Sequence, residues 1–200
     1  MTDRQATAPL PLLPNPAPST ARNLSLRAQK KILGSVATKN VVKLFIDDRS
    51  AHLLDILHQL TREYTNNKRR ADKLLNYTIK TAIKLAVLIR NEQLTDAQLV
   101  RCGEFRRKFH QAAVTFISFH EVDFSFDKVY LREIMKDCGE LLKGVVEMHL
   151  TGKSLHRIDE VFKFYGDDVW LEWLFLDSRH RDSLHAAVMD LHQLLRDGVI

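Results

Sequence analysis

Two arginines of this 200-residue chain, Arg90 and Arg106, occupy predicted helix faces that are otherwise apolar. At 100° per residue, Arg90 falls between Ile79 and Ile83 on a broad apolar arc of the segment from about residue 68 to residue 90. Arg106 lies in the middle of the apolar arc of the next predicted helix. A cation on such a face costs free energy unless it is paired or reaches water. The other polar side chains of the first helix form one narrow stripe: Lys73, Tyr77, Lys80 and Lys84.

Three explanations account for Arg106. It pairs with a buried carboxylate, it reaches water past short neighbours, or it stands at the mouth of a cavity and binds an anionic ligand. Arg90 has a simpler explanation, because the helix dipole favours a cation at a C-terminus. If the two apolar arcs line a cavity, the predicted lining is Leu75, Ile79, Ile83 and Ala86 from the first helix, and Leu99, Phe109, Ala113, Phe116 and Ile117 from the second.

No catalytic or metal-binding pattern accompanies these arginines. The nine histidines show neither an HExxH pattern nor metal-ligand spacing, and no nucleophile motif is present. Residues 151–154 (TGKS) look like the end of a phosphate loop, but Glu147 stands where that motif has its first glycine. Gly152 as a helix stop and Ser154 as the next N-cap explain the string. The sequence therefore predicts a protein that is not an enzyme, with no metal and no other cofactor.

Charge is distributed unevenly along the chain. Residues 19–110 contain 19 Lys/Arg and 8 Asp/Glu, whereas residues 111–200 contain 10 and 16. The basic half favours a polyanionic partner such as an anionic membrane, a nucleic acid or an acidic protein. The alternative is that the two halves neutralise each other in the fold. The basic run at residues 68–70 lacks interleaved aromatic residues and a recognition fold, so nucleic acid is not a predicted partner.

All five prolines lie between residues 9 and 18. Because proline interrupts helices, the proline-free remainder predicts one all-α domain over residues 23–200, preceded by a disordered Pro-rich tail over residues 1–22. Thr95 with Gln98 predicts a capping box, and Ser125 predicts another helix start. The predicted helical segments are residues 24–36, 38–46, 50–66, 68–90, 95–120, 125–150, 154–165, 167–176 and 178–196.

The chain carries few signals of its compartment. Two cysteines, Cys102 and Cys138, make no disulfide framework and are predicted to be reduced. The apolar runs are too short to span a membrane, and the first residues do not form a signal-peptide core. A soluble cytoplasmic protein is expected.

Short motifs along the chain resemble the tumour necrosis factor alpha-induced protein 8 family. They occur in order over about residues 24–200, and the likeness is weaker from residue 166 to residue 188. The Pro-rich tail lies outside it. The motifs are residues 27–33 (RAQKKIL), 44–48 (LFIDD), 62–65 (REYT), 83–91 (IKLAVLIRN), 105–108 (FRRK), 118–126 (SFHEVDFSF), 149–154 (HLTGKS) with 157–158 (RI), and 197–200 (DGVI).

The resemblance implies a cylinder of about six antiparallel helices around a large apolar cavity, with a short amphipathic N-terminal helix at its opening. It also implies binding and transfer or presentation of phosphoinositides or related anionic lipids, in the regulation of apoptosis, immune and phosphoinositide signalling. Matched motif to motif, the headgroup-binding arginines fall on Arg90 and Arg106. The membrane-contacting lysine pair falls on Lys30 and Lys31, and Arg27 makes that helix more basic.

The implied partners are an anionic lipid, the inner face of the plasma membrane as a transient peripheral site, and signalling proteins. The alternative is a helical adaptor that acts in apoptosis regulation through protein–protein contacts, with an incidental cavity.

Overall fold

The structure is a computed structural model that describes residues 19–33, 46–122 and 125–200. Within these residues all regular secondary structure is helical, which confirms the predicted all-α class. Nearly all of the predicted segment 38–46 and most of the Pro-rich tail lie outside the described residues. The helices are α1 (Thr20–Leu33), α2 (Asp48–Thr65), α3 (Lys68–Arg90), α4 (Asp96–Glu121), α5 (Lys128–Val146), α6 (Gly152–Tyr165), α7 (Asp168–Leu176), a single 3-10 turn (Ser178–His180) and α8 (Arg181–Arg196).

Short polar side chains fix two of the helix starts. At α4 the predicted capping box is confirmed, because Thr95 Oγ1 accepts from the Gln98 N–H at 3.3 Å and the Thr95 N–H donates to Gln98 Oε1 at 2.9 Å. α1 begins at Thr20, four residues before its predicted start, because the Ser19 hydroxyl accepts from the Arg22 N–H at 3.1 Å. The predicted boundary between tail and domain, after residue 22, therefore falls inside α1.

Two predicted caps were wrong. α5 begins after Asp127, because the Asp127 carboxylate accepts the N–H of residue 130 at 3.0 Å, whereas the Ser125 hydroxyl donates to the carbonyl of residue 122 at 2.7 Å. α6 follows Thr151 and has Gly152 as its first residue, so Gly152 does not stop a helix there. The Ser154 hydroxyl lies inside α6 and accepts a hydrogen bond from Lys84 of α3.

The helices pack in a definite order. α2, α3, α6, α5, α4 and α8 each pack against the next, and α8 packs against α2. α1 lies mainly on α3 and α2, and α7 lies between α5 and α6. The inward faces of α2 to α8 are thereby brought to one region of the molecule, where they surround an apolar pocket.

Two clusters of buried side chains hold different parts of the fold. The aromatic cluster joins α2, α6 and α7 and consists of Tyr64, Phe164, Tyr165, Trp170 and Trp173. The α1 cluster joins α1 to α2 and α3 and consists of Ala21, Ala28, Ile46, Ala51, Leu75, Ile79 and Ile83. Both cysteines are free thiols, and burial raises the pKa of the Cys138 thiol to about 12.

Candidate functional site

An apolar pocket of about 360 Å³ is lined by side chains of α2 to α8. Its wall is apolar apart from two threonines and two aromatic residues that carry a polar atom, Tyr165 and Trp170. The Thr78 hydroxyl donates to the carbonyl of residue 74 at 3.2 Å, and the Tyr165 hydroxyl lies 3.3 Å from Thr61 Oγ1. Burial raises the pKa of Tyr165, so its phenol stays neutral. This volume lies within the range of small-molecule sites, and the lining suits an alkyl chain.

Part of the predicted lining faces this pocket and part does not. Leu75, Phe109, Ala113 and Phe116 are lining residues. Ile79 and Ile83 instead pack in the α1 cluster, because α1 covers that side of α3. The side chain of Leu99 is about half exposed (49%), near the start of α4. Neither Ala86 nor Ile117 belongs to the lining.

Lining residues from α2 and from α5 to α8 were not assigned from the sequence. These helices do show apolar periodicity, but that pattern marks a buried face without telling which neighbour it meets. Which residues of a buried face line a pocket is decided by how the helices pack against one another. Lining residues not predicted include Leu53, Leu57, Met135, Phe162, Leu171 and Leu191.

Arg106 lies outside the pocket lining, exposed on α4. Its Nη2 donates to the carbonyl of Gly198 at 2.9 Å, so its partner is a neutral backbone group near the C-terminus. The next turn of α4 also meets this segment, since His110 Nδ1 is 3.4 Å from the Ile200 oxygen. Of the three explanations, pairing with a buried carboxylate is therefore wrong. Reaching the surface fits the position, and the guanidinium is accessible to an anion.

Arg90 is the last residue of α3 and is exposed. Asn91 follows as the C-cap, and its N–H donates to the carbonyls of residues 87 and 89. The cation thus stands in the final turn, where the helix dipole favours positive charge. Like Arg106, it lies outside the pocket lining.

α1 presents a basic outer surface. Arg27, Lys30 and Lys31 are exposed, whereas Ala28 and Gln29 are buried. The docked helix is tied to α2 by a carboxylate, because Asp55 accepts from the Ser19 hydroxyl at 2.5 Å and from the Ala21 N–H at 2.7 Å. Three cations are therefore held at the surface of a helix whose other side is packed.

Metal sites and membrane spans are both absent from the part of the chain that the structure describes. In residues 19–33, 46–122 and 125–200, no group of three or more His, Cys, Asp or Glu side chains is arranged to hold a metal ion. Across the same residues, no helix combines the length and apolarity needed to cross a membrane.

Comparison with known proteins gives a consistent result. Residues 19–198 match the family model described as tumor necrosis factor alpha-induced protein 8-like. A tumor necrosis factor alpha-induced protein 8-like protein of Drosophila pseudoobscura pseudoobscura is 46% identical over 181 residues, which are 90% of this chain and 96% of that protein. The protein salivary glands marred of Drosophila melanogaster is 45% identical over the same length. Human tumor necrosis factor alpha-induced protein 8 is 43% identical over 155 residues, 78% of each chain.

Proposed function

We propose that this chain, which belongs to the tumour necrosis factor alpha-induced protein 8 family, is a non-enzymatic protein that binds and transfers or presents an anionic lipid of the phosphoinositide type. The observation that carries the proposal is the apolar pocket of about 360 Å³. The hydroxyl groups of Thr78 and Tyr165 in its wall already have hydrogen-bond partners, so an alkyl chain in the pocket would not leave them unpaired. A lipid tail in an apolar space of this size would gain dispersion contacts with the pocket wall and remove its own surface from water.

The helix packing supports a container for such a tail. The order of contacts from α2 through α3, α6, α5, α4 and α8 back to α2 is the order expected for six helices arranged as a cylinder. The pocket takes side chains from each of these six helices and from α7. We interpret the pocket as the cavity of that cylinder.

We assign the lipid headgroup to Arg90 and Arg106, following the resemblance of their motifs to the family. Arg106 gives one hydrogen bond to a neutral carbonyl, so its other N–H groups can meet a phosphate. The bond from the guanidinium to the Gly198 carbonyl is already charge-assisted on the donor side, and a phosphate adds a charged acceptor that can take two parallel bonds. We therefore expect a phosphate oxygen to displace the Gly198 carbonyl from Arg106.

The basic surface of α1 suits a transient site at an anionic membrane. Arg27, Lys30 and Lys31 each gain about 1 kcal/mol near an anionic leaflet, and salt screens this attraction. We place the protein in the cytoplasm, with transient binding to the inner face of the plasma membrane. Regulation of apoptosis and phosphoinositide signalling, with signalling proteins as partners, would follow from delivering lipid there.

The test has one arm for the tail and one for the headgroup. Ala113→Phe places a phenyl group in the pocket, so we expect it to reduce the lipid that co-purifies with the protein, as measured by mass spectrometry. Val114→Phe, at an exposed neighbouring position, is the matched control. Equal lipid recovery from the two variants would contradict the pocket assignment.

For the headgroup we compare Arg106→Gln with Arg107→Gln, the adjacent exposed arginine. Binding to vesicles that contain phosphatidylinositol bisphosphate should weaken by about 10- to 150-fold in Arg106→Gln only. The free energy of unfolding should change by less than about 1 kcal/mol, because the lost bond is to an exposed carbonyl. Equal vesicle binding by both variants would remove Arg106 from the site.

A second function is favoured by one feature of α7. Val169 and Leu176 are 61% and 68% exposed and lie two helical turns apart, so they share an outer face. Exposed apolar residues on one face of a helix suit contact with a protein partner. A helical adaptor is the function we would retain if purified protein carried no lipid and bound no anionic vesicles.

A further inference from the structure

Four cations from three helices come together on the side of the molecule that α1 covers. They are Lys31 of α1, Lys80 and Lys84 of α3, and Arg157 of α6, and we call them the basic cluster. Lys80, Lys84 and Arg157 are half-buried, whereas Lys31 is exposed. Lys80 and Lys84 belong to the polar stripe that the sequence predicts on α3. The cluster contains neither Arg90 nor Arg106.

The contacts of Lys84 and Arg157 are with neutral groups. Lys84 Nζ donates to the Ser154 hydroxyl at 2.8 Å. The guanidinium carbon of Arg157 lies 5.1 Å from the centroid of the Tyr77 ring. The Nε of Arg157 is buried, and no hydrogen-bond acceptor for it lies within the part of the chain that the structure describes. A buried donor left without an acceptor costs about 1–3 kcal/mol. An unpaired guanidinium nitrogen beside two lysines is therefore a place where an acceptor oxygen would be stabilising.

Carboxylates of the neighbouring elements are engaged elsewhere. Glu160 of α6 pairs with Lys73 at 3.0 Å, and Asp159 pairs with Lys143 at 2.7 Å. Asp55 of α2 holds the first turn of α1. These three carboxylates therefore do not neutralise the positive charge of the basic cluster.

Electrostatics within the cluster is repulsive. The pKa of Lys80 is lowered by burial first, and then by the positive charges of Arg157, Lys31 and Lys84. The pKa of Lys84 is lowered by burial and then by Arg157. Every charged group that shifts these two lysines is a cation. Like charges that face each other across α1, α3 and α6 oppose the packing of the three helices.

α1 carries a further cost in its docked position. Ser25 and Gln29 are fully buried, and among the described residues neither the Ser25 hydroxyl nor the Gln29 amide finds a hydrogen-bond partner. These groups lie on the helix that brings Lys31 towards the other three cations. Docking of α1 is therefore weakened both by unpaired polar atoms and by charge repulsion.

We propose that the basic cluster is a binding site for a phosphate monoester dianion, which bridges α1 to α3 and α6 and holds α1 in its docked position. Two negative charges meet four positive ones, and phosphate oxygens supply the acceptors that Arg157 and the lysines lack. The site lies outside the pocket lining and uses neither Arg90 nor Arg106, although it shares Lys31 with the basic surface of α1. The phosphate comes either from a lipid headgroup or from a soluble compound.

The experiment titrates inorganic phosphate into the full chain at constant ionic strength, with chloride as the balancing anion. We expect the melting temperature to rise with phosphate and the hydrogen exchange of α1 amides to slow. Lys80→Met with Lys84→Met should weaken phosphate binding by at least about tenfold per lysine. The same variant should melt at a higher temperature than the wild type without phosphate, because the repulsion is removed.

The control is Arg69→Met with Lys163→Met, two exposed cations outside the cluster, which should keep the full response to phosphate. Lys31→Met, exposed on α1 and safe for folding, should reduce the response of α1 hydrogen exchange. The proposal is overturned if phosphate has no effect on the wild type, or if the Lys80/Lys84 variant responds as the wild type does.

Two further arms identify the source and separate this site from the pocket. Vesicles of phosphatidylcholine with phosphatidic acid test a lipid phosphate. If soluble phosphate competes with them, the site takes a headgroup, and if only soluble phosphate binds, it takes a free ligand. Both results support the site. Ala113→Phe should retain the phosphate response, so a failure of the lipid proposal would leave this one intact, and loss of the response in that variant would count against it.

Discussion

The aromatic cluster and the α1 cluster both contain fully buried side chains, yet their polar groups are satisfied differently. At the aromatic cluster, Trp170 is 1% exposed and its ring centroid lies 5.2 Å from those of Tyr64 and Phe164. Two polar groups at this cluster have partners: the Tyr165 hydroxyl is 3.3 Å from that of Thr61, and Nε2 of the adjoining His180 is 3.0 Å from the Leu174 carbonyl oxygen.

The α1 cluster is built from smaller side chains and leaves polar atoms unpaired. Ala21 and Ala28 pack on Ile79 and Ile83, which buries less apolar area than an aromatic ring does. Gln29 is as buried as Trp170, but its amide has no partner in residues 19–33, 46–122 and 125–200. Burial alone therefore does not rank the stability of the two regions. We therefore expect the fold to be held most firmly at the aromatic cluster, and the docking of α1 to be more sensitive to a ligand.

The largest expected effect comes from Trp170→Ala. Loss of the ring removes the centre of the aromatic cluster, so the free energy of unfolding should fall by about 3–5 kcal/mol in urea denaturation. Val169→Ala on the same helix is the matched control and should change it by less than about 0.5 kcal/mol, because Val169 is exposed. Comparable losses in the two variants would show that the cluster does not dominate stability.

The second prediction is that replacing two buried glutamines by methionine changes the free energy of unfolding in opposite directions. Gln29→Met removes an unpaired amide and should stabilise the protein by about 1–2 kcal/mol. Gln98→Met should destabilise it by a similar amount, because Gln98 Oε1 accepts from the Thr95 N–H and lies 3.1 Å from His149 Nε2. Urea denaturation of both variants measures the difference. Destabilisation by Gln29→Met equal to that by Gln98→Met would mean that the buried amide is paired in solution.

The sequence predicts local features of this fold better than tertiary ones. α3 was predicted at its observed bounds, and the capping box at Thr95 and Gln98 was confirmed, because both depend on residues within one helix. Ser125 failed as a cap because its hydroxyl donates to the carbonyls of residues 118 and 122, and Asp127 caps the helix instead. Where two nearby residues can each cap a helix, a single motif does not decide at which residue the helix begins.

The candidate sites show the same limit. The lysine stripe on α3 is visible in the sequence, but the position of Arg157 opposite Lys80 and Lys84 depends on how α6 packs on α3. Arg106 falls on an apolar arc, yet α4 leaves Leu99 and Val100 of the same helix exposed, so its buried face is narrower than its apolar residues suggest. Helical periodicity gives an angle around one helix and does not identify the neighbour that it meets.

The smallest expected effect concerns the 3-10 turn between α7 and α8, which lies beside the aromatic cluster. The 3-10 turn that follows α7 is capped by Asp177, whose carboxylate accepts from the Arg179 N–H at 3.0 Å and from its guanidinium. The turn carries His180, whose ring stacks on Trp173 with centroids 3.9 Å apart. The hydrogen bonds from Arg179 lower the pKa of Asp177 from 3.8 to about 2.

Because the pKa of Asp177 in the folded state lies below its unfolded value of 3.8, the stabilisation from this group is complete above pH 3.8 and is lost as the pH falls towards 2. Asp177→Asn should therefore flatten the dependence of melting temperature on pH between about 4 and 2, with a small loss at neutral pH. Asp168→Asn, whose carboxylate pairs with Arg132 on α5, is the control for a general acid effect. If Asp177→Asn leaves the acid limb of the curve unchanged, the turn is held by the stacking of His180 on Trp173, and closure of the aromatic cluster is independent of charge.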